Sequence, residues 1–348
     1  MKQQELYTHT RNYGCRYKLY TQNGVEMLSL ENARIKVVFA LGKGADIVEF
    51  MHKPTDVDFM WHSFNELKHV NQVSTVASTG GNFMDSYAGG WQELFPTYGA
   101  GTKYHGGQIG IHGEACLYPW QCSIVMDTPE CVEVLLSLRT IRSPFLLEKR
   151  VTIREDSSAL VMEQKVTNLS MRELDFMWGH HPAFGFPFLD ESVEIRVNGA
   201  PKVTVPTSTV GGKYCPFEKE TVGIWPVLTD KNGLLIDVSK ARGTDEKLYM
   251  EFGISDLKEG QCEVVSRNKG IGMRMQWDPD VFRYIWIWAV YHGLEEYPWY
   301  GRSYVLGVEP WSSMPANYMV AKEADTLLHI AGGASLKTQF VAEIFEDK

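Results

Sequence analysis

The feature that most constrains the fold is a succession of short β-type runs with little helical periodicity. Apolar and polar residues alternate at the start of two of these runs, Arg34 to Ala40 and Cys131 to Leu135, as is typical of strands with one buried face, and Gly, Pro, Asn and Asp separate the runs. Helical patterns are short, near Asn65 to Val70 and Ala316 to Leu328, and no strand–helix–strand alternation is visible, so a parallel nucleotide-binding sheet is disfavoured. The runs are Arg34 to Ala40, Cys131 to Leu135, Leu160 to Val166, Leu234 to Val238, Ile271 to Trp277, Tyr284 to Val290 and Tyr304 to Val308.

We therefore predict an all-β antiparallel sandwich, with residues 1–348 forming one domain. The Gly-rich segment 80–113 is long, irregular and rich in aromatic residues. Long loops of this kind are often functional in compact proteins, so we expect it to lie over one face of the sandwich.

The charge and the apolar content of the chain limit its partners and its location. The formal net charge of -9 disfavours binding to nucleic acid or to an anionic membrane surface. No signal peptide is visible at the N-terminus, and no apolar run approaches the length of a membrane span. We expect a cytoplasmic protein whose six cysteines are reduced.

No cofactor or metal motif is present. The sequence lacks a P-loop, a complete dinucleotide fingerprint and a nucleophile elbow. His105, His112 and Glu114 are near one another in the sequence, but their spacing matches no known metal motif. We expect neither a metal nor another cofactor.

The first candidate for chemistry is the segment from Leu174 to Gly185, which contains His180 and His181. Strand alternation places His180 on an apolar face with Phe176 and Trp178, and His181 on a polar face beyond Gly179. Glycine leaves room for a ligand or for another backbone. His181 is therefore the better candidate for chemistry, although a hydrogen-bonded core His180 and a merely structural His181 are an open alternative.

The second candidate is Glu309, at the end of the run Tyr304 to Trp311. It shares one face of the strand with Gly307, and a carboxyl group beside Trp311 would be partly desolvated, which raises its pKa toward that of a useful base. Alone, a structural carboxylate is the simpler interpretation. The run Arg283 to Val290 adds Trp286 and Trp288 on one face, where they form either a platform for a sugar ring or part of the core.

At these residues the sequence resembles the aldose 1-epimerase family, and its divergent galactose mutarotase-like branch in particular. The resemblance extends over most of the chain, and the order and spacing of its motifs are more specific than any one of them. The similar segments are Asn32 to Phe50, Gly89 to Pro96, Ile111 to Glu114, His180 to Phe184, Gly307 to Trp311 and Leu327 to Phe345.

The resemblance implies a β-supersandwich and an isomerase that interconverts the α and β anomers of a free or substituted hexose without a cofactor. Glu309 would be the general base for the anomeric hydroxyl, and His181 the acid for the ring oxygen. Substrate-binding residues would be His112, Gln92, Glu93, Trp91, His180, Trp288, Trp286 and Asp278.

The chain also departs from the family pattern. Gln92 and Glu93 occupy the neighbourhood where classical members have an Asn–Arg pair, and the family's sugar-binding aspartate has only Asp278 and Asp280 as candidates by position. The sugar, its phosphorylation or sulfonation and the oligomeric state therefore stay open.

Two other functions stay open. One is a carbohydrate-binding protein that has lost catalysis on the same sandwich. The other is a glycosidase or lyase that uses paired carboxylates, such as Glu93 with Glu114 or Glu309.

Overall fold

The computed structural model describes residues 11–69, 81–207 and 212–347. Two large antiparallel sheets dominate the regular structure of these residues, which confirms the predicted fold class. The division of the chain into domains stays a prediction.

The larger sheet has fourteen strands in the described part of the chain. In spatial order they are β1 (Arg16–Gln22), β2 (Val25–Glu31), β3 (Ile35–Ala40), β4 (Asp46–His52), β6 (Trp91–Leu94), β14 (Gly179–Phe184), β24 (Tyr304–Trp311), β23 (Tyr284–Tyr291), β20 (Leu248–Ser255), β16 (Lys202–Thr204), β17 (Val222–Ile224), β18 (Val227–Thr229) and β19 (Leu235–Asp237), with β5 (Val57–Asp58) paired to β4.

The smaller sheet has eight strands and packs against the larger one. In spatial order they are β15 (Val193–Arg196), β21 (Gln261–Ser266), β22 (Ile271–Trp277), β26 (Ser335–Glu346), β12 (Ala159–Asn168), β11 (Phe145–Arg154), β10 (Cys131–Arg139) and β9 (Gln121–Asp127). Two two-stranded sheets complete the strands: the hairpin of β7 (Thr102–Tyr104) with β8 (Gly107–Ile109), and the pair of β13 (Leu174–Phe176) with β25 (Leu328–Ile330), which are distant in the chain.

The helices are short, and of the two predicted helices one is wrong and the other is correct only in part. No helix forms over 65–69, while Val70 lies outside the described residues. The predicted helix from Ala316 to Leu328 is only α2 (Tyr318–Glu323), which begins where the Asn317 side chain accepts hydrogen bonds from two backbone N–H groups. A further helix, α1 (Gly81–Ser86), and a 3-10 turn, Lys53–Thr55, were not predicted.

The segment 80–113 is more regular than expected. It contains α1, β7 and β8, and its Trp91–Leu94 stretch is a central strand of the larger sheet. All four residues of this strand are buried, because both of its faces are covered. The alternation that is typical of a strand with one buried face is therefore missing. Other parts of the segment line a cavity, with residues 83, 84, 87, 99, 100, 111 and 112.

Candidate active site

Neighbouring strands in the middle of the larger sheet bring the two catalytic candidates together. β14 pairs with β24 such that Gly179 opposes Trp311 and Ala183 opposes Gly307. His181 lies midway between these pairs and therefore faces Glu309 across the ladder. Because opposed residues of an antiparallel pair point to the same side, both side chains emerge on one face of the sheet.

That face carries a cavity of about 330 Å³, which lies in the size range of small-molecule sites. Its carboxyl and imidazole side chains in the described chain are those of His112, His181, Glu251 and Glu309. Aromatic side chains dominate the remainder: Tyr87, Tyr249, Trp286, Trp288, Trp299 and Trp311. A larger groove of about 740 Å³ runs past Tyr20, Trp120 and Ile141, but its described lining contains no histidine and a single carboxylate, so it offers no acid–base pair.

His181 and Glu309 are in direct proximity. Nε2 of His181 lies 3.4 Å from Oε1 of Glu309, and both side chains are almost completely buried. Burial lowers the pKa of His181 to about 4, because the imidazolium would lose its hydration. Burial also raises the pKa of Glu309 well above its ordinary value, and the nearby Glu251 carboxylate raises it further, while the Trp311 indole acts in the opposite direction.

These pKa shifts act in opposite directions on the two groups. Burial favours the neutral imidazole of His181 and the protonated carboxyl group of Glu309. One group can then donate a proton while the other accepts one.

His112 lies beside the pair. Its ring stacks edge-on against Phe83 at 4.3 Å and lies 5.5 Å from the His181 ring. Its Nδ1 is buried and has no hydrogen-bond partner among the described residues. Burial, and then the charges of His181 and Lys43, lower the pKa of His112 well below its usual value, so that the ring is a neutral hydrogen-bonding group.

Glu251 is the site residue that the sequence interpretation missed. β20 reads Leu-Tyr-Met-Glu-Phe-Gly-Ile-Ser, in which Met250, Phe252 and Ile254 are buried in the core while Tyr249 and Glu251 line the cavity. The Tyr249 hydroxyl donates a hydrogen bond to Glu251. The alternation of this run is the signal that could have revealed Glu251.

The aromatic prediction for β23 is consistent with the geometry. Ile285, Ile287 and Ala289 are in the core, whereas Trp286 and Trp288 line the cavity. Glu309 opposes Trp286 on the neighbouring strand. The carboxyl group and the indole rings therefore share one face.

Trp91, Glu93 and His180, in contrast, point to the other face of the sheet, and this corrects their predicted role in contacting substrate. His180 accepts a hydrogen bond from the Trp91 indole, and its other ring nitrogen hydrogen-bonds with the side-chain oxygen of Gln164 on the smaller sheet. The His180 ring lies 4.6 Å from the Phe340 ring. Glu93 accepts a hydrogen bond from the Trp178 indole and pairs with Lys149, 2.6 Å away. All three lie between the two sheets, out of reach of a ligand in the cavity.

Gln92 and Asp278 also lie outside the cavity lining. Gln92 is on the same face as His181, but its amide donates to Asp46 and to the backbone oxygen of Gly89. Asp278 lies in the turn between β22 and β23, where it accepts a hydrogen bond from the Asp280 backbone, and Asp280 itself is exposed. The second carboxylate of the cavity is therefore Glu251 rather than either aspartate.

The described residues contain no cluster of metal-ligating side chains. No group of three His, Cys, Asp or Glu side chains there could hold a metal ion. His105 binds Asp175, and Glu114 accepts hydrogen bonds from the backbone and side chain of the 141–143 turn. The six cysteines are unpaired, and none of the helices in the described chain is long and apolar enough to span a membrane.

Comparison with protein families identifies one match over just over half of the chain. A family described as a domain of unknown function, DUF4432, matches residues 22–210. No curated protein matches the sequence.

Solved structures give a wider structural likeness. A candidate aldose 1-epimerase from Klebsiella pneumoniae superposes with a TM-score of 0.75 at 14% identity, covering 96% of this chain and 84% of that one. A galactose mutarotase-like protein from Clostridium acetobutylicum gives 0.65 at 14% identity, covering 96% and 99%. A galactose mutarotase related enzyme from Lactobacillus acidophilus gives 0.59 at 18% identity, covering 95% and 98%. At these identities the likeness establishes the fold, which is galactose mutarotase-like.

Proposed function

This chain belongs to the DUF4432 family, and from its galactose mutarotase-like fold we propose that it is an aldose 1-epimerase, which interconverts the α and β anomers of a monosaccharide. The observation that carries the proposal is the buried pair of His181 and Glu309, 3.4 Å apart, in a cavity of sugar size. The anomeric hydroxyl and the ring oxygen are bonded to the same carbon, so one acid and one base must act at neighbouring atoms.

The reaction requires one proton to leave and one to arrive. In the direction of proton transfer that the family resemblance implies, Glu309 accepts the proton of the anomeric hydroxyl while His181 donates a proton to the ring oxygen. The bond between C1 and the ring oxygen breaks, and an open-chain aldehyde forms. Rotation about the C1–C2 bond and ring closure, with the roles reversed, then give the other anomer.

The pKa shifts support a pair that exchanges roles. Because burial favours the proton on Glu309 and a neutral His181, ring opening can also begin with His181 as the base and Glu309 as the acid. Opening and closure are the reverse of each other, so each group acts once as acid and once as base in every turnover. No net proton uptake, metal or other cofactor is required.

The remaining polar groups would hold the sugar. Glu251 and the buried Nδ1 of His112 offer hydrogen bonds to ring hydroxyls. Trp286 and Trp288 offer flat surfaces to the C–H face of the ring. Holding the ring between these groups keeps the anomeric carbon at the acid–base pair.

The other two functions are less well supported. In the proposed glycosidase or lyase, Glu93 or Glu114 would be a catalytic carboxylate, but both are engaged in buried contacts outside the cavity. A binding protein without catalysis requires no adjacent acid and base, so it leaves the His181–Glu309 contact unexplained.

Anomer exchange by saturation-transfer NMR tests the proposal directly. The purified protein should accelerate exchange between the two anomers of at least one free monosaccharide above the buffer rate. Binding without faster exchange would instead assign the chain to carbohydrate-binding proteins. Hydrolysis of a glycoside without anomer exchange would support the glycosidase hypothesis.

A further inference from the structure

The cavity has a second wall that differs in chemistry from the sheet. The sheet supplies His181, Glu251 and Glu309, whereas α1 and the loop after β23 supply Phe83, Met84, Leu294 and Trp299. Every one of these four side chains is apolar or aromatic.

Aromatic contacts make the apolar wall continuous. The Phe83 ring stacks on Tyr87 at 4.8 Å, Tyr87 lies 6.3 Å from Trp299, and Trp299 lies 5.2 Å from Trp288. The one hydroxyl in this series, that of Tyr87, lies 3.5 Å from Nδ1 of His181. It is therefore directed toward the acid–base pair.

The two segments that carry the wall are also tied together. The Tyr297 hydroxyl donates a hydrogen bond to Asp85 at the end of α1. The guanidinium of Arg302 lies 3.7 Å from the centre of the Phe64 ring, which in turn packs edge-on against Trp299. These contacts hold the apolar surface in place over the sheet.

The apolar wall lies where it would contact one particular part of a bound sugar. In the direction of proton transfer that the family resemblance implies, His181 serves the ring oxygen, and the carbon next to that oxygen, C5, carries the exocyclic C6. The Tyr87 ring lies 5.7 Å from His181, so the wall begins beside the atom that His181 would protonate. A C6 substituent would extend from there onto Phe83, Met84, Leu294 and Trp299.

We propose that the substrate is a 6-deoxyhexose, whose C6 methyl group packs on this apolar wall while its ring hydroxyls bind Glu251 and His112. This inference rests on the proposed function. The side chains of Phe83, Met84 and Leu294 offer a C6 hydroxyl no hydrogen-bond partner, whereas a methyl group packed on them gains from leaving water. No lysine or arginine lines the cavity in the described ranges, so a C6 phosphate or sulfonate would lack a counter-charge and would share the cavity with the Glu251 and Glu309 carboxyl groups.

Pairs of sugars that differ only at C6 test the proposal. Anomer exchange would be measured for 6-deoxy-D-galactose against D-galactose, 6-deoxy-D-glucose against D-glucose, and 6-deoxy-L-mannose against L-mannose, with D-glucose 6-phosphate as an anionic probe. In the pair that is exchanged fastest, we expect kcat/KM of the deoxy sugar to be about 10- to 100-fold higher. A hydroxylated or phosphorylated sugar that is exchanged as well as the best deoxy sugar would overturn the proposal and leave the epimerase function standing. No exchange of any sugar would contradict both.

Two variants test whether the apolar wall causes the preference for a 6-deoxy sugar. Met84→Gln and Leu294→Asn place an amide where the C6 hydroxyl would lie, so each should reduce the deoxy-to-hydroxy ratio of kcat/KM by about 5-fold or more. Leu235→Asn makes the same chemical change at an exposed position outside the cavity and should leave the ratio unchanged. An unchanged ratio in both wall variants, with both folded, would exclude the wall as the cause of any preference.

Discussion

Gly307 lies directly beneath the carboxyl group of Glu309. A Cβ atom at position 307 would be 2.5 Å from Oε1 of Glu309 and 3.3 Å from both Cβ and the backbone oxygen of Trp288. The two residues are two positions apart on β24, so they share one face, and the Glu309 side chain folds back over the space that glycine leaves. The absence of a side chain at 307 therefore sets the position of the proposed acid–base group.

Gly307→Ala should displace the Glu309 carboxyl group from His181. A shift of about 1 Å at a catalytic group can reduce the rate by about 100-fold, and we expect a fall of 10- to 100-fold in anomer exchange. Gly107→Ala is the matched control, because its nearest neighbour would be 3.6 Å away. Equal rates in both variants and the unmodified protein would show that the position of Glu309 is not critical.

Glu309→Gln keeps the shape of the side chain and removes its acid–base function. We expect anomer exchange to fall by about 10²–10⁴-fold while sugar binding persists. Exchange is measured by saturation-transfer NMR, and a melting curve establishes that the variant is folded. Glu218→Gln, at an exposed position, is the control. A folded Glu309→Gln protein with the original rate would remove Glu309 from the mechanism.

Glu251→Gln should affect both substrate binding and the pKa of Glu309. A hydrogen bond to a charged group contributes about 1.5–3 kcal/mol, so KM should rise by about 10-fold or more. Because the Glu251 carboxylate raises the pKa of Glu309, its removal should also move the limb of the pH–rate profile that reports Glu309 to lower pH. A change in KM without any change in the profile would mean that the two carboxyl groups are not coupled.

His181 should make the protein less stable in acid. Its pKa is lowered from 6.5 to about 4, so between these pH values the unfolded chain binds a proton that the folded chain does not. The free energy of unfolding therefore falls as pH decreases from 6.5 to 4, by on the order of 3 kcal/mol from this residue. Urea unfolding at both pH values should show a smaller loss for His181→Gln than for the unmodified protein, and equal losses would contradict the lowered pKa.

Anomer exchange should survive removal of metal ions. Acid–base ring opening uses only side chains in the proposed mechanism, so prolonged dialysis against EDTA should leave kcat within about 2-fold of its starting value. Loss of activity that one added metal ion restores would show that the chemistry is metal-assisted.

Much of the site follows from strand alternation, which is a local property of the sequence. The order His180, His181 assigns one ring to each face of β14, and the same period places Glu309 with Gly307 and Trp286 with Trp288. These assignments agree with the geometry because each depends only on neighbours along one strand. The alternation of β20 contained the same information about Glu251, but nothing local distinguishes a cavity carboxylate from a solvent-exposed one.

The sequence alone therefore determined which residues share a face of a strand. Only the tertiary structure decided which part of the protein each face contacts. Glu93 and Trp91 are strand residues with polar atoms, like Glu309 and Trp286, yet they lie between the sheets because Lys149 and Phe340 of the smaller sheet pack against them. The 3.4 Å contact between His181 and Glu309 likewise depends on β14 pairing with β24, although these residues are far apart in the chain. Pairing between distant strands and packing between sheets are set by the burial of many side chains at once, which no single run of residues encodes.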